Sequence, residues 1–370
     1  MNIVNNWLNK HYYFNNDGTP DEIADSLGDC MIQCAYVILK NKYCLNSDFY
    51  KCFLNETTIK LCVSESDNIE MFETIENVFD KEIFSLYGFE KINEKAVDKI
   101  SEILKAGDIP AVATVVEKLR FSVFYDENYK QNRIRTRHVF IIVGEDSENF
   151  YFIDNPGVIS YKNYLGLCDN KEIGIISKKD FYVSVRGCCD IFTFNFDLEK
   201  INYFINNPLN ALIDSYKNYH LQNKVKDGVE CYYGKKAMLK LLDLFELGNI
   251  RLDQMAPSKD RDMITYFNWK IWNIKGRRKL LKKFVYDSNN GEYRETLLNS
   301  LNDSILKWDL LDKALYRDFL KGNRIAGNQY TFIIREIIDC EDKINYLLNK
   351  YLHSIEQTLS LIHISEPTRH

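Results

Sequence analysis

The chain has no Cys-x-x-Cys pair, and its ten cysteines and six histidines form no metal-ligand spacing. Zinc and iron–sulfur centres therefore have no basis in the sequence, and no metal or other cofactor is expected. No Gly-x-x-x-x-Gly-Lys-Ser/Thr loop is present, so nothing marks a site for ATP phosphates. Apolar runs are too short to span a bilayer, and Met1-Asn2-Ile3-Val4-Asn5-Asn6-Trp7 has neither the basic region nor the apolar stretch of a signal peptide. The expectation is a cytoplasmic protein with reduced thiols, away from membranes. A net charge of −5 argues against a nucleic-acid partner.

The chain does carry the makings of a folded core. Hydrophobic residues are 45% of the chain and charged residues 27%, and 370 residues suggest about two domains. Residues 30–44, 68–87 and 93–106 read as amphipathic helices. Gly107-Asp108 then punctuates, and Ile109 to Val116 reads as a buried strand. After a charged, aromatic connection over 118–136 come strands at 138–144, 150–154 and 173–177, a short helix near Asp180, and a last strand at 188–196. Beyond residue 198 only helix-length periodic segments are expected: 198–223, 234–247, 259–286, 291–322 and 327–358, with Gly228 to Gly234 as a break between helices. The fold class expected is α+β, with a domain over 1–197 built on an antiparallel sheet and an all-helical domain over 198–358. Residues 359–370 do not continue the pattern and are expected to be a non-native tail.

Cys30 stands where a polar stretch, Ser26-Leu27-Gly28-Asp29, gives way to the apolar helical pattern Met31-Ile32-Gln33-Cys34-Ala35-Tyr36. A thiol on the first turn of a helix feels the partial positive charge of the helix N-terminus, which favours thiolate. Cys34, one turn on, lies deeper in the apolar stripe and is assigned to core packing. Far downstream, His138 opens an apolar strand and Asp154 ends the next one. If those strands pair antiparallel through the 144–149 turn, the two side chains meet across the ladder. Cysteine on a helix start, followed by histidine and a carboxylate on adjacent strands, is the chain order of papain-like cysteine enzymes. In such a set Cys30 is the nucleophile and His138 the proton carrier. Asp154 fixes the imidazole tautomer, and the backbone N–H of Cys30 plus one side-chain donor hold the oxyanion.

Three segments carry a further likeness: Gly28-Asp29-Cys30 with its helix to Tyr43, Arg137-His138-Val139-Phe140-Ile141-Ile142-Val143-Gly144, and Tyr151-Phe152-Ile153-Asp154-Asn155-Pro156. With Tyr233-Gly234-Lys235-Lys236-Ala237-Met238 at the start of the helical region, they make the chain resemble the butirosin biosynthesis protein H N-terminal domain family over most of residues 15–350. The resemblance implies a papain-like fold, with Cys30, His138 and Asp154 at the catalytic positions. It also implies transfer of an acyl group from a carrier-protein thioester to an amine, as in closthioamide-type amide synthetases. Papain-like peptidases carry a glutamine about six residues before the cysteine; Ala24-Asp25-Ser26 stand there in this chain.

The function expected is thus a cysteine-dependent acyltransferase or amide synthase, without ATP because thioester-to-amide transfer is downhill. The alternatives are a papain-like cysteine peptidase or isopeptidase, and a non-catalytic helical interaction protein. Ser26, Asp29, Tyr125, Arg133, Arg135 and Asn155 are the expected substrate-binding residues. The expected partners are an acyl carrier protein or other thioester donor and a small amine acceptor, and a homodimer stays open. Two basic, aromatic-rich segments could dock an acidic carrier: 118–137 beside His138, and 270–283.

Overall fold

Aspartates start the first two helices. Asp21 accepts hydrogen bonds from the N–H groups of Ile23 and Ala24, and Asp29 from those of Met31 and Ile32, which satisfies donors that no helical carbonyl can reach. The glycine between the two helices, Gly28, has φ +72°, a left-handed turn that a side chain would strain. Cys30 is the first residue of the second helix, as the sequence predicts.

The computed structural model describes residues 2–3, 7, 12–13, 19–43, 47–75, 83–91, 95–127, 137–159, 172–186, 189–259, 261–288 and 293–365. In chain order the first elements are β1 (Asn2–Ile3), α1 (Glu22–Ser26), α2 (Cys30–Lys42), β2 (Ile59–Ser64), β3 (Ile69–Thr74) and β4 (Phe84–Lys91). There follow α3 (Ala96–Lys105), β5 (Ala111–Val115), β6 (Arg137–Glu145), β7 (Asn149–Ile153), β8 (Ile173–Ser177), α4 (Lys178–Val185) and β9 (Asp190–Phe196). The remainder is α5 (Leu198–Asn206), α6 (Pro208–Tyr219), β10 (Lys224–Lys226), β11 (Val229–Tyr233), α7 (Gly234–Glu246), β12 (Ile250–Arg251), α8 (Met263–Asp287), α9 (Arg294–Leu320), β13 (Ile325–Ala326) and α10 (Thr331–Ser365). The chain divides into two units, Met1–Phe49 with Lys81–Lys200, and Tyr50–Asp80 with Ile201–His370.

The first unit is an antiparallel sheet in the order β4-β9-β5-β6-β7-β8, with β1 paired to the far end of β6. Helix α2 packs against β6. A buried cluster joins Ala96 and Ile100 of α3 and Phe181 and Val185 of α4 to Val112, Phe140, Phe150 and Phe152 of the sheet. Phe121 stacks on Phe152 with ring centroids 4.2 Å apart and meets Phe140 edge-on at 5.4 Å, so one aromatic group grips both β6 and β7. Gly174 sits opposite Phe152 in the β7–β8 ladder, and a Cβ there would overlap that ring.

The second unit corrects several expectations. It is not all-helical: β10, β11, β2 and β3 form a four-stranded sheet in that order. The Gly228 to Gly234 break is in fact the second strand of a hairpin. Asp227 and Gly228 have φ +52° and +74°, the paired positive values of a tight two-residue turn. Nor are the described residues of the expected 68–87 helix helical; residues 76–82 lie outside the described residues. Ile69 to Thr74 is strand, paired with β2, and its burial alternates in part as one covered face requires. Tyr50–Asp80 therefore belongs with the second unit rather than the first. Cys62 and Cys231 face each other across the β2–β11 ladder and form a disulfide, which departs from the expectation of reduced thiols throughout. Pro208 divides the expected 198–223 helix into α5 and α6, because its ring lacks an N–H and suits a helix start. Helix α10 runs to Ser365, through part of the segment set aside as a tail.

The basic 270–283 segment turns inward. Lys270 pairs with Glu73 at 2.9 Å, Lys275 with Asp309 at 2.9 Å, Arg277 with Glu56 at 2.9 Å and Lys283 with Asp287 at 3.0 Å. Arg278 binds both oxygens of buried Glu341, which also accepts from Ser304 Oγ at 2.7 Å and Trp308 Nε1 at 3.0 Å. A docking face needs free cations, and these five of the segment's seven lysines and arginines are neutralised within the unit. Removing one partner of such a buried set strands the other charge. Glu341→Ala should cost about 3–5 kcal/mol in denaturant unfolding. A loss below 1 kcal/mol would mean that the Arg278 charge finds water. In the first unit, Gly174→Ala should destabilise by about 1–3 kcal/mol through overpacking against Phe152, read as a lowered midpoint of thermal unfolding.

Candidate functional site

The end of the sheet where β5 and β7 finish and β6 begins collects the chemistry. The register pairs Thr114 with His138 and Ile141 with Ile153. One step on, Asp154 falls diagonally across from His138, within reach of a long side chain. His138 Nε2 donates to the Asp154 carboxylate, 2.7 Å from Oδ1 and 2.8 Å from Oδ2. Both residues are buried. Cys30 also acts on the His138 charge, so its thiol lies near the ring, and with Nε2 taken by the carboxylate, Nδ1 is the nitrogen free to serve it. The three residues read from the sequence therefore come together.

Charge at His138 is decided by two opposed effects. Burial by itself would lower its pKa, but the Asp154 carboxylate, by charge and by hydrogen bond, and then Cys30 override it and push the imidazole up to about 10. His138 is thus an imidazolium at neutral pH, close enough to Cys30 for the two to act on each other. Cys34 is different. Its thiol donates to the Val139 carbonyl at 3.5 Å, and burial, then Cys30, Asp154 and Asp29, push its pKa well up. It stays a protonated core thiol, consistent with its assignment to packing.

Neighbouring groups hold the acid in place. Asp154 Oδ1 also accepts from the Asn155 N–H at 2.7 Å. The Asn155 amide donates to Gln33 Oε1 at 3.0 Å, and Gln33 Nε2 donates to the Ala24 carbonyl at 3.1 Å. Asn155 Oδ1 accepts from Gly157 N–H at 2.8 Å. Asn155, expected to touch substrate, is thus spent on fixing the turn after Asp154 and tying it to α2. Gln33 was not singled out in the sequence. The signal available was a glutamine in the otherwise apolar run from Met31 to Leu39.

The other expected residues fall as follows. The Asp29 carboxylate accepts from Met31 N–H at 2.8 Å and Ile32 N–H at 3.4 Å, so its charge is used as a helix cap. Gln33 N–H bonds to the Asp29 carbonyl. That leaves the Cys30 N–H as the one donor of this first turn with no acceptor among the described residues. Ser26 is buried in α1 and its hydroxyl donates to the Glu22 carbonyl, which uses its hydrogen inside its own helix. Tyr125 is exposed, in a turn tied to the loop after Asp154 by the Val123 N–H to Val158 carbonyl bond of 2.8 Å. Arg133 and Arg135 lie outside the described residues. The described cations of the 118–137 segment are partnered: Arg120 with Asp180, Lys118 with the Arg186 carbonyl and Arg137 with Asp190.

Among the described residues, no group of three or more His, Cys, Asp or Glu side chains is arranged to hold a metal, and no helix is long and apolar enough to cross a membrane. No protein-family model matches the chain, and no curated protein matches it.

Two outcomes follow from the site. With a folded-state pKa near 10 against 6.5 unfolded, His138 binds its proton more tightly in the native state. Its stabilising contribution is complete below about pH 6.5 and is lost as pH rises through about 10. Unfolding free energy should therefore fall across that window, and Asp154→Asn should flatten the slope. An unchanged slope in the variant would show that Asp154 does not set the proton affinity. Limiting iodoacetamide should alkylate Cys30 before Cys34, read by peptide mass, since only the former sulfur lies at a helix N-terminus beside an imidazolium.

Proposed function

We propose that the chain is a papain-like thiol acyltransferase, acting through Cys30, His138 and Asp154. The observation that carries the reading is the His138 imidazole bound by both Asp154 oxygens, with Cys30 at the helix start near enough to raise its proton affinity. A cysteine-headed helix against an antiparallel sheet, with histidine and acid on adjacent strands, supports the papain-like part.

The chemistry runs in two halves. The Cys30 thiolate attacks a thioester carbonyl, and the carbonyl electrons move onto oxygen. Collapse expels the donor thiolate, which takes the proton from His138, and an acyl group is left on sulfur. An amine then attacks that acyl group while neutral His138 accepts its proton. Cys30 leaves as thiolate, an amide is released, and the starting charges are restored. Asp154 keeps Nε2–H aimed at itself, so Nδ1 handles the travelling proton in both halves. The donor is an acyl carrier protein or a small thioester, the acceptor is an amine, and a cytoplasmic setting suits the free thiol.

Intact mass after mixing with an acyl N-acetylcysteamine thioester should show one acyl adduct on the wild type and none on Cys30→Ala. Added amine should discharge the adduct as amide faster than water does. Asp154→Asn should slow acylation by about 10²–10⁴-fold with the fold kept. Discharge to water alone, with cleavage of peptide substrates, would favour a peptidase. An unmodified wild type would leave a non-catalytic interaction protein.

A further inference from the structure

The oxyanion formed at an attacked thioester needs two donors, and the Cys30 N–H is one. The position that supplies a glutamine in papain-like peptidases offers none in this chain, and the Ser26 hydroxyl is spent on Glu22. The Gln33 amide is spent on the Ala24 carbonyl.

Residues 12 and 13 are strapped over the same end of the sheet. The N–H groups of Tyr12 and Tyr13 both donate to Glu172 Oε2, at 2.7 and 2.6 Å. Glu172 immediately precedes β8, where Ile173 pairs with Ile153, so it is the cross-strand neighbour of Asp154. On the other side, the Tyr13 carbonyl accepts from the Asp21 N–H at 2.8 Å. Asp21 is in turn locked to α2 by Tyr36 at 2.9 Å and Lys40 at 2.8 Å. The backbone of Tyr13 is therefore held between the neighbour of Asp154 and the helix that carries Cys30. Its side chain is only 7% exposed, yet its hydroxyl makes no hydrogen bond among the described residues, whereas the Tyr12 hydroxyl donates to the Trp7 carbonyl at 2.6 Å. Burial, then Cys34, Asp154, Cys30 and Glu172, raise the Tyr13 phenol well above the usual tyrosine range, so it keeps its proton.

We infer that the Tyr13 hydroxyl is the second oxyanion donor, a catalytic residue that hydrogen-bonds the thioester oxygen as it gains charge during attack by Cys30. This rests on the acyltransferase reading. The hydroxyl keeps its proton throughout and no bond to it breaks. Its role is confined to steps in which a carbonyl becomes tetrahedral.

Alkylation by iodoacetamide passes through no oxyanion, which separates this role from a structural one. Rates of Cys30 acylation by acetyl N-acetylcysteamine and of alkylation by iodoacetamide are compared in wild type and Tyr13→Phe. Acylation should slow by about 10²–10³-fold, the usual effect of losing one such donor, with alkylation unchanged. Equal acylation rates would overturn the inference and leave the acyltransferase reading standing. So would a matching fall in both rates, since Tyr13 would then act on the thiol or the fold. A wild type that never acylates would overturn both, and is recognised because the parent protein itself is silent.

Discussion

Everything at the candidate site depends on the antiparallel pairing of β6 with β5 and β7. That ladder sets His138 diagonal to Asp154, two residues beyond the Phe140 and Phe152 rings that Phe121 clamps. Because side chains alternate along strands, a slip of one residue would turn the histidine to the opposite face and break the contact. Register is held where the rings and Gly174 fit one another, inside the core rather than at the exposed end. Packing below the site thus stabilises geometry at the site.

The polar groups divide by the same logic. In the first unit, buried Gln33 and half-buried Asp29 and Asn155 spend their hydrogen bonds on caps and turns, and among the described residues the Cys30 N–H and the Tyr13 hydroxyl have no acceptor. In the second unit, buried Arg277 is paired with Glu56, and buried Arg278 with Glu341 through Nε and Nη2. Buried charge is costly unless paired. A run of cations with aromatics between them can therefore be either a surface patch or an internal network, and only the acidic partners decide which. Four of those partners, Glu56, Glu73, Asp309 and Glu341, lie far away in sequence or on other elements.

Much of the first unit was legible in the residues. The strands over 111–115, 137–145, 149–153 and 173–177 follow from apolar runs bounded by Gly107-Asp108, Gly144-Glu145-Asp146 and Asn155-Pro156-Gly157. Cys30 as a helix start follows from Gly28-Asp29, and the pairing of His138 with Asp154 follows from a short turn that forces antiparallel neighbours. The hairpin at Asp227-Gly228 was also written locally, as a two-residue turn flanked by β-branched and aromatic residues, but the surrounding helical periodicity masked it.

By itself, then, the sequence determined local conformation, the order of the reactive residues along the chain and the meeting of His138 with Asp154, because these rest on periodicity, capping and turn chemistry within a few residues. Tertiary structure alone decided that Tyr50–Asp80 folds with the distant helices, that Cys62 meets Cys231 across 169 residues, and that Tyr13 is tied to Glu172. These contacts join segments whose local patterns are compatible with many neighbours. They are selected only when the whole apolar surface is buried at once and each buried polar group must find a partner.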